Sequence, residues 1–179
     1  MISLRRETQV RWGAIAIGLF VFVLDLLSKW VVTNTVRLQS YPVVTDFFSI
    51  QYTKNEGIAF GFLHDFQSEW KSTILASLAL LAILMVLYYI RSTPASERLV
   101  LVSLGLLLGG ILGNFVDRLI HHYVVDFLKL HWGTRLAWPT FNVADAAITC
   151  GVLLILCATF FGSSPDPKPE RREESLSLK

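Results

Sequence analysis

Asp145 follows Asn142 by three residues in "FNVADAAI", Asp117 follows Asn114 by three in "GNFVDR", and Asp126 stands beyond them in "VVDF". Nearer the N-terminus, Asp25 precedes Lys29 by four residues. On a helix, spacings of three or four place residues on one face. Asn114 with Asp117, Asn142 with Asp145 and Thr149, and Asp25 with Lys29 therefore each form a polar stripe. Two carboxylates within hydrogen-bond reach in a poorly solvated place repel each other's charge, so near neutral pH they hold one proton between them. One can then take a proton from water while the other donates to a carbonyl oxygen, which is acid–base hydrolysis of a peptide. Ser28 beside Lys29 offers no nucleophile pair, since neighbours on a helix diverge. Acidic groups of the same kind serve as proton relays in carriers. The carboxylates alone thus leave a hydrolase and a proton-coupled transporter open, with a purely structural bundle as a third reading that leaves the Asp and Asn density unexplained.

Each residue also has a plainer role. Asp25 with Lys29 makes an i, i+4 ion pair, Asp117 beside Arg118 makes an interfacial pair at a helix end, and Asp126 makes a turn residue. His121 and His122 are adjacent and point about 100° apart on a helix, with no H-x-x-x-H partner, so a metal site is not expected. Chemistry alone does not choose between Asp117 and Asp126 as the partner of Asp145.

The elements that must position these groups lie in a bilayer. Apolar residues make up 53% of the 179, charged ones 17%, and the mean hydropathy is +0.52, which is the composition of a membrane protein. A hydrocarbon layer of about 30 Å needs about 20 apolar residues in a helix. Trp12–Val32, Ser72–Ile90, Leu99–Val116 (its helix continuing to about 120) and Phe141–Phe161 meet this, giving four transmembrane helices. The first is too long for a signal-peptide core and is followed by no small-residue cleavage site, so it is expected to remain attached. Residues 1–162 read as one membrane domain, with outer loops at 33–71 and 121–140, and 163–179 as a disordered tail.

Basic residues set the orientation: Arg5, Arg6 and Arg11 before the first span, Arg91 and Arg98 around the second turn, and Lys168, Arg171 and Arg172 after the fourth mark the cytoplasmic side, with both termini there. The net charge of +2 is too small, and its basic residues too closely tied to topology, to argue for nucleic acid. In that topology Asp25 and Lys29, Asn114, Asp117 and Arg118, and Asn142 and Asp145 all fall in the outer layer of the membrane, while the inner half offers only apolar or small interior positions. That distribution weighs against a transport path. Gly105, Gly109 and Gly113 form a small-residue ridge for close helix packing. Cys150 and Cys157, two turns apart on the fourth helix and about 10 Å in rise, are too distant to bridge and read as buried thiols. In the loops, Phe48, Ile50 and Tyr52 alternate with Ser49, Gln51 and Thr53, and Leu128, Leu130 and Trp132 alternate with Lys129 and His131. Period-two patterns predict strands, hence a small sheet on the outer surface with aromatics in the interface. The fold class expected is an all-α membrane protein, a four-helix bundle with a small extracytoplasmic β-sheet.

Five ordered blocks carry a family resemblance: "DLLSK" at 25–29, "NEGIAFG" at 55–61, "GGILGNFVDR" at 109–118, "VVDF" at 124–127 and "FNVADAAI" at 141–148. Together they make the chain resemble the bacterial lipoprotein signal peptidases, the type II signal peptidases, over nearly its whole length before the tail. The resemblance implies an aspartic endopeptidase of the cytoplasmic (inner) membrane, working near its outer face without a cofactor. Its substrate would be a prolipoprotein whose cysteine already carries a diacylglyceryl group, cut just before that cysteine. It further implies Asp126 and Asp145 as the catalytic dyad, with Asn55, Gly57, Asn114, Arg118 and Asn142 orienting the dyad or holding substrate. Asp25, Lys29 and Asp117 are implied as structural polar residues, membrane lipids as surroundings, and cyclic peptides of the globomycin type as inhibitors. Leu26 stands where the family often has glutamine, Gly61 where serine is frequent, and His122 where a glycine commonly precedes the V-x-D-F block. A glycine would supply a permissive turn, whereas histidine reaches positive φ only at a cost.

Overall fold

The computed structural model describes residues 2–36, 40–44, 47–57, 70–133 and 136–161. The second half of the "NEGIAFG" block with Gly61, and the expected tail with Lys168, Arg171 and Arg172, lie outside the described residues. The order of elements is α1 (Ile2–Thr35), β1 (Ser40–Val44), β2 (Phe48–Asn55), α2 (Lys71–Ser92), α3 (Arg98–His121), β3 (Val124–Trp132), β4 (Leu136–Ala137) and α4 (Val143–Phe161). All four helices are long and apolar enough to cross a membrane.

α1 starts ten residues before the expected Trp12 because no proline or glycine interrupts residues 2–12 and a helix need not stop where hydrocarbon ends. α4 starts at Val143 rather than Phe141, since Pro139 precedes it and Phe141 is paired with Leu128 of β3. Beyond the expected strands, the sheet gains β1 and β4, and β3 takes in the whole "VVDF" block. Asp126 is therefore a strand residue opposite Thr53 and not a turn residue. The antiparallel order is β1-β2-β3-β4, with an irregularity between Ile50 and Thr53.

α3 is the axis of the bundle. Its Leu101, Leu104 and Leu108 pack with Ala14 of α1 and with Ile83, Val86 and Ile90 of α2. The glycine ridge lets the backbones touch: a Cβ on Gly105 would lie 2.5 Å from the Ala14 carbonyl oxygen. On the neighbouring face a Cβ on Gly110 would meet the Ala144 carbonyl at the same distance, so α4 packs equally closely. At Gly113 a Cβ would strike the Asp25 carboxylate, so the ridge also makes room for a charge. A second cluster, Val32, Val36 and Phe127 with Ile50, Tyr52 and Leu128, fixes the sheet to the end of α1. Phe20, Leu27, Leu78, Leu84 and Leu153 are exposed, as lipid-facing side chains of a multi-pass membrane protein are.

Two further expectations change. Cys150 and Cys157 are exposed, because α4 presents Ala144, Ala147 and Gly151 to the bundle and turns the cysteines away. Ser49, expected on the polar face, is buried, since a small side chain between Pro42 and Lys129 is covered by its cross-strand neighbours. Trp132 stays exposed and meets the ring of Phe47 edge-on at 6.2 Å between centroids. His122 adopts the left-handed conformation a glycine would take, with φ 64°, and ends α3 as its cap.

Candidate active site

Buried polar residues gather at the sheet end of the bundle, where α1, α3, α4 and the strands meet. Asp126 is 1% exposed and Asn142 0%. β3 delivers Asp126, because its pairing with β2 sets Asn55 against Val124, two residues away. From there Asn55 Nδ2 donates to Asp126 Oδ2 at 2.9 Å, while Asn55 Oδ1 accepts the Gly57 N–H at 2.9 Å. Arg118 ties this corner to α3, donating through Nη2 to the Gly57 carbonyl at 3.1 Å and through Nη1 to the Asn114 carbonyl at 3.3 Å.

α4 delivers Asp145 through its own start. Asn142 Oδ1 accepts the Asp145 N–H at 2.9 Å, and Asp145 Oδ2 accepts the Asn142 N–H at 3.2 Å, a reciprocal cap on the first turn. Asn142 Nδ2 then donates to Asp126 Oδ1 at 2.8 Å, with Asn114 Oδ1 at 3.1 Å and the Val125 carbonyl at 3.3 Å also in reach. One asparagine thus bonds both carboxylates. Asn114 Nδ2 donates to the remaining Asp145 oxygen, Oδ1, at 2.7 Å.

Burial pushes the Asp126 carboxyl up from its ordinary 3.8 to about 7, and the charge of Asp145 acts in the same direction. Hydrogen bonds from Asn55 and Asn142 and the charge of Lys29 oppose the rise without cancelling it. Both acids are thus bonded to one asparagine, and a pair of carboxyls held in common can take up and release a single proton.

Behind the two lies a second polar group. Lys29 pairs with Asp25 at 2.7 Å, as its spacing predicts, and also with Asp117 at 3.0 Å. Asp117 therefore pairs with Lys29 across the helices, and not with the adjacent Arg118. Beside Asp145 opens a cavity of about 350 Å3, polar at Asn55, Asp145 and Thr149 and apolar at Leu130, Trp138, Phe141 and Ala146. Among the described residues no three His, Cys, Asp or Glu side chains converge as a metal site would need.

The family model for signal peptidase (SPase) II matches residues 17–161. The chain belongs to the signal peptidase II family. As a member it is an aspartic endopeptidase, a hydrolase set in a membrane. It is 40% identical over 148 residues to the lipoprotein signal peptidase of Solibacter usitatus (strain Ellin6076), covering 82% of this chain and 90% of that one. It is 36% identical over 145 residues to the lipoprotein signal peptidase of Francisella tularensis subsp. novicida (strain U112), covering 81% and 89%. A bacterial membrane enzyme solved by the in meso method at 2.3 Å shares the fold, with a TM-score of 0.72, 29% identity and coverage of 87% and 94%.

In this signal peptidase the expected residues Asn55, Asn114, Asp126, Asn142 and Asp145 form one hydrogen-bonded network, with Gly57 and Arg118 at its edge. Thr149, on the Asp145 stripe, bonds the Asp145 carbonyl and faces the cavity. Sequence reasoning missed the backbone N–H groups of Val125 and Ala144, which bond Asp117 and Asp25. The only signal for them is that each directly precedes Asp126 or Asp145.

Proposed function

We propose that this signal peptidase removes the signal peptide from prolipoproteins carrying a diacylglyceryl-modified cysteine, cutting just before that cysteine. Asp126 and Asp145 share one proton. One draws a proton from water as it attacks the scissile carbonyl, and the other protonates the carbonyl oxygen, after which the amine leaves with a proton returned from the pair. Asn142 and Asn114 hold the two carboxyls in register, and Asn55 and Arg118 hold Gly57, two residues past the end of β2, where substrate is aligned. The single observation that carries this reading is Asn142, whose amide and backbone bond both carboxylates, one of which lines a cavity whose walls divide between polar Asn55, Asp145 and Thr149 and apolar Leu130, Trp138, Phe141 and Ala146. A lipidated peptide has the same division.

The basic flanks support a site toward the outer face of the bacterial cytoplasmic membrane, with both termini inside. The Arg11 contact to the Thr93 carbonyl, at 3.5 Å, supports that placement by putting the start of α1 beside the end of α2. Inhibition by a cyclic peptide of the globomycin type is expected on this reading.

The experiment is incubation of the purified chain in detergent with a diacylglyceryl-modified prolipoprotein and with its unlipidated form. Cleavage of the first just before its lipidated cysteine, with the second left intact, is expected. Equal cleavage of both, or of neither, contradicts the proposal.

A further inference from the structure

Lys29 is a buried cation that the chemistry above does not use. It is 3% exposed, and its ammonium reaches three acceptors: Asp25 Oδ2 at 2.7 Å, Asp117 Oδ2 at 3.0 Å and Asn114 Oδ1 at 3.0 Å. An ammonium donates and accepts none: here it donates to Asn114 Oδ1 and is ion-paired with the two carboxylates. Each of them holds something in turn. Asp25 Oδ1 accepts the N–H of Ala144 at 2.9 Å, on the residue before Asp145. Asp117 Oδ2 accepts the N–H of Val125 at 3.0 Å, on the residue before Asp126. Asn114, its oxygen turned to Lys29, has only its NH2 left, and gives it to Asp145 Oδ1 at 2.7 Å. One ammonium therefore anchors a tether to the backbone beside each aspartate and a third to the Asp145 carboxylate.

We propose that Lys29 is a positioning residue that sets the separation and orientation of the Asp126 and Asp145 carboxylates, acting through Asp25, Asp117 and Asn114. This rests on reading those two as the dyad. An ion pair that merely hides a charge needs one partner, and Asp25 on the same helix supplies it. The reach across to α3 draws in two further tethers, Asp117 to the backbone before Asp126 and Asn114 to Asp145 itself. Without the ammonium, Asp25 and Asp117 become neighbouring buried carboxylates that protonate or turn away, and Asn114 loses one of the two donors, the other being Asn142, that fix which end of its amide faces Asp145. A displacement of about 1 Å at reacting groups costs on the order of a hundredfold in rate.

The charged groups around this cluster are Asp25 of α1, Asp117 and Arg118 of α3, Asp126 of β3 and Asp145 of α4. The test uses Lys29→Gln and the charge-balanced pair Lys29→Gln with Asp25→Asn, assayed in detergent on the lipidated prolipoprotein across pH, with Asp126→Asn alongside. The expected result is a folded variant with KM within about threefold and kcat lower by about a hundredfold. Because the Lys29 charge holds Asp126 down, the alkaline limb of its pH–rate profile moves upward. A folded variant with kcat within about threefold and an unchanged profile overturns the assignment. So does failure of both variants to fold, which makes Lys29 structural. Activity in Asp126→Asn instead overturns the dyad reading itself.

Discussion

Asn142 donates its side-chain N–H to Asp126 Oδ1 at 2.8 Å while capping the helix that carries Asp145. A residue that starts a helix thus also spans the two acids, so its loss has two separable effects. Asn142→Ala removes a cap, worth about 1 kcal/mol of stability, and the bridge between the carboxylates. The melting temperature in detergent falls by a few degrees, whereas kcat falls by about a hundredfold; equal, modest losses in both would reduce Asn142 to a cap.

The pH dependence of stability follows from Asp126. Its carboxyl titrates at about 7 in the folded protein against an ordinary 3.8. Between those values the folded state binds more protons than the unfolded, so the contribution of Asp126 to stability falls as pH rises from about 4 to 7 and is level above. Asp126→Asn removes that slope. Melting curves at several pH values should show the variant flatter than the parent across this window and relatively more stable above it. A parallel pair of curves would contradict the burial assigned to Asp126.

Cys150 lines the cavity beside Asp145, and Cys157, two turns along the same helix, does not. Both are exposed on the membrane-spanning α4, so a lipid-permeant maleimide in detergent should reach both. With Cys157→Ser, modification of Cys150 by a bulky maleimide should cut turnover by tenfold or more. With Cys150→Ser, modification of Cys157 should leave turnover within about twofold. Indifference to label at Cys150 would mean that substrate does not use this cavity.

The sequence made the spans legible because twenty apolar residues have few other uses, and it made Asn142 with Asp145 legible because a cap has a fixed local spacing. Asp126 was harder. Nothing local tells a turn from a strand in "VVDF"; what makes it a strand is pairing with β2, about seventy positions earlier in the chain. Lys29 was half legible: its bond to Asp25 lies within one helix turn, but the bond to Asn114 spans 85 positions, and that from Ala144 to Asp25 spans 119. The exposure of the cysteines followed from which face of α4 carries its small residues, and an all-apolar helix does not announce that face. His122 ends α3 at a left-handed position that favours glycine, and the backbone there keeps that turn with the histidine in place.

The proposed dyad makes Asp126 and Asp145 jointly responsible for the chemistry. It is tested most directly by single-turnover cleavage of a diacylglyceryl-modified prolipoprotein by Asp126→Asn and by Asp145→Asn, each first shown to be folded by its melting curve in detergent. Each substitution is expected to lower the rate by at least about ten-thousandfold, because one carboxyl without the other can neither share the proton nor return it. Either folded variant cutting within about tenfold of the parent rate would contradict it.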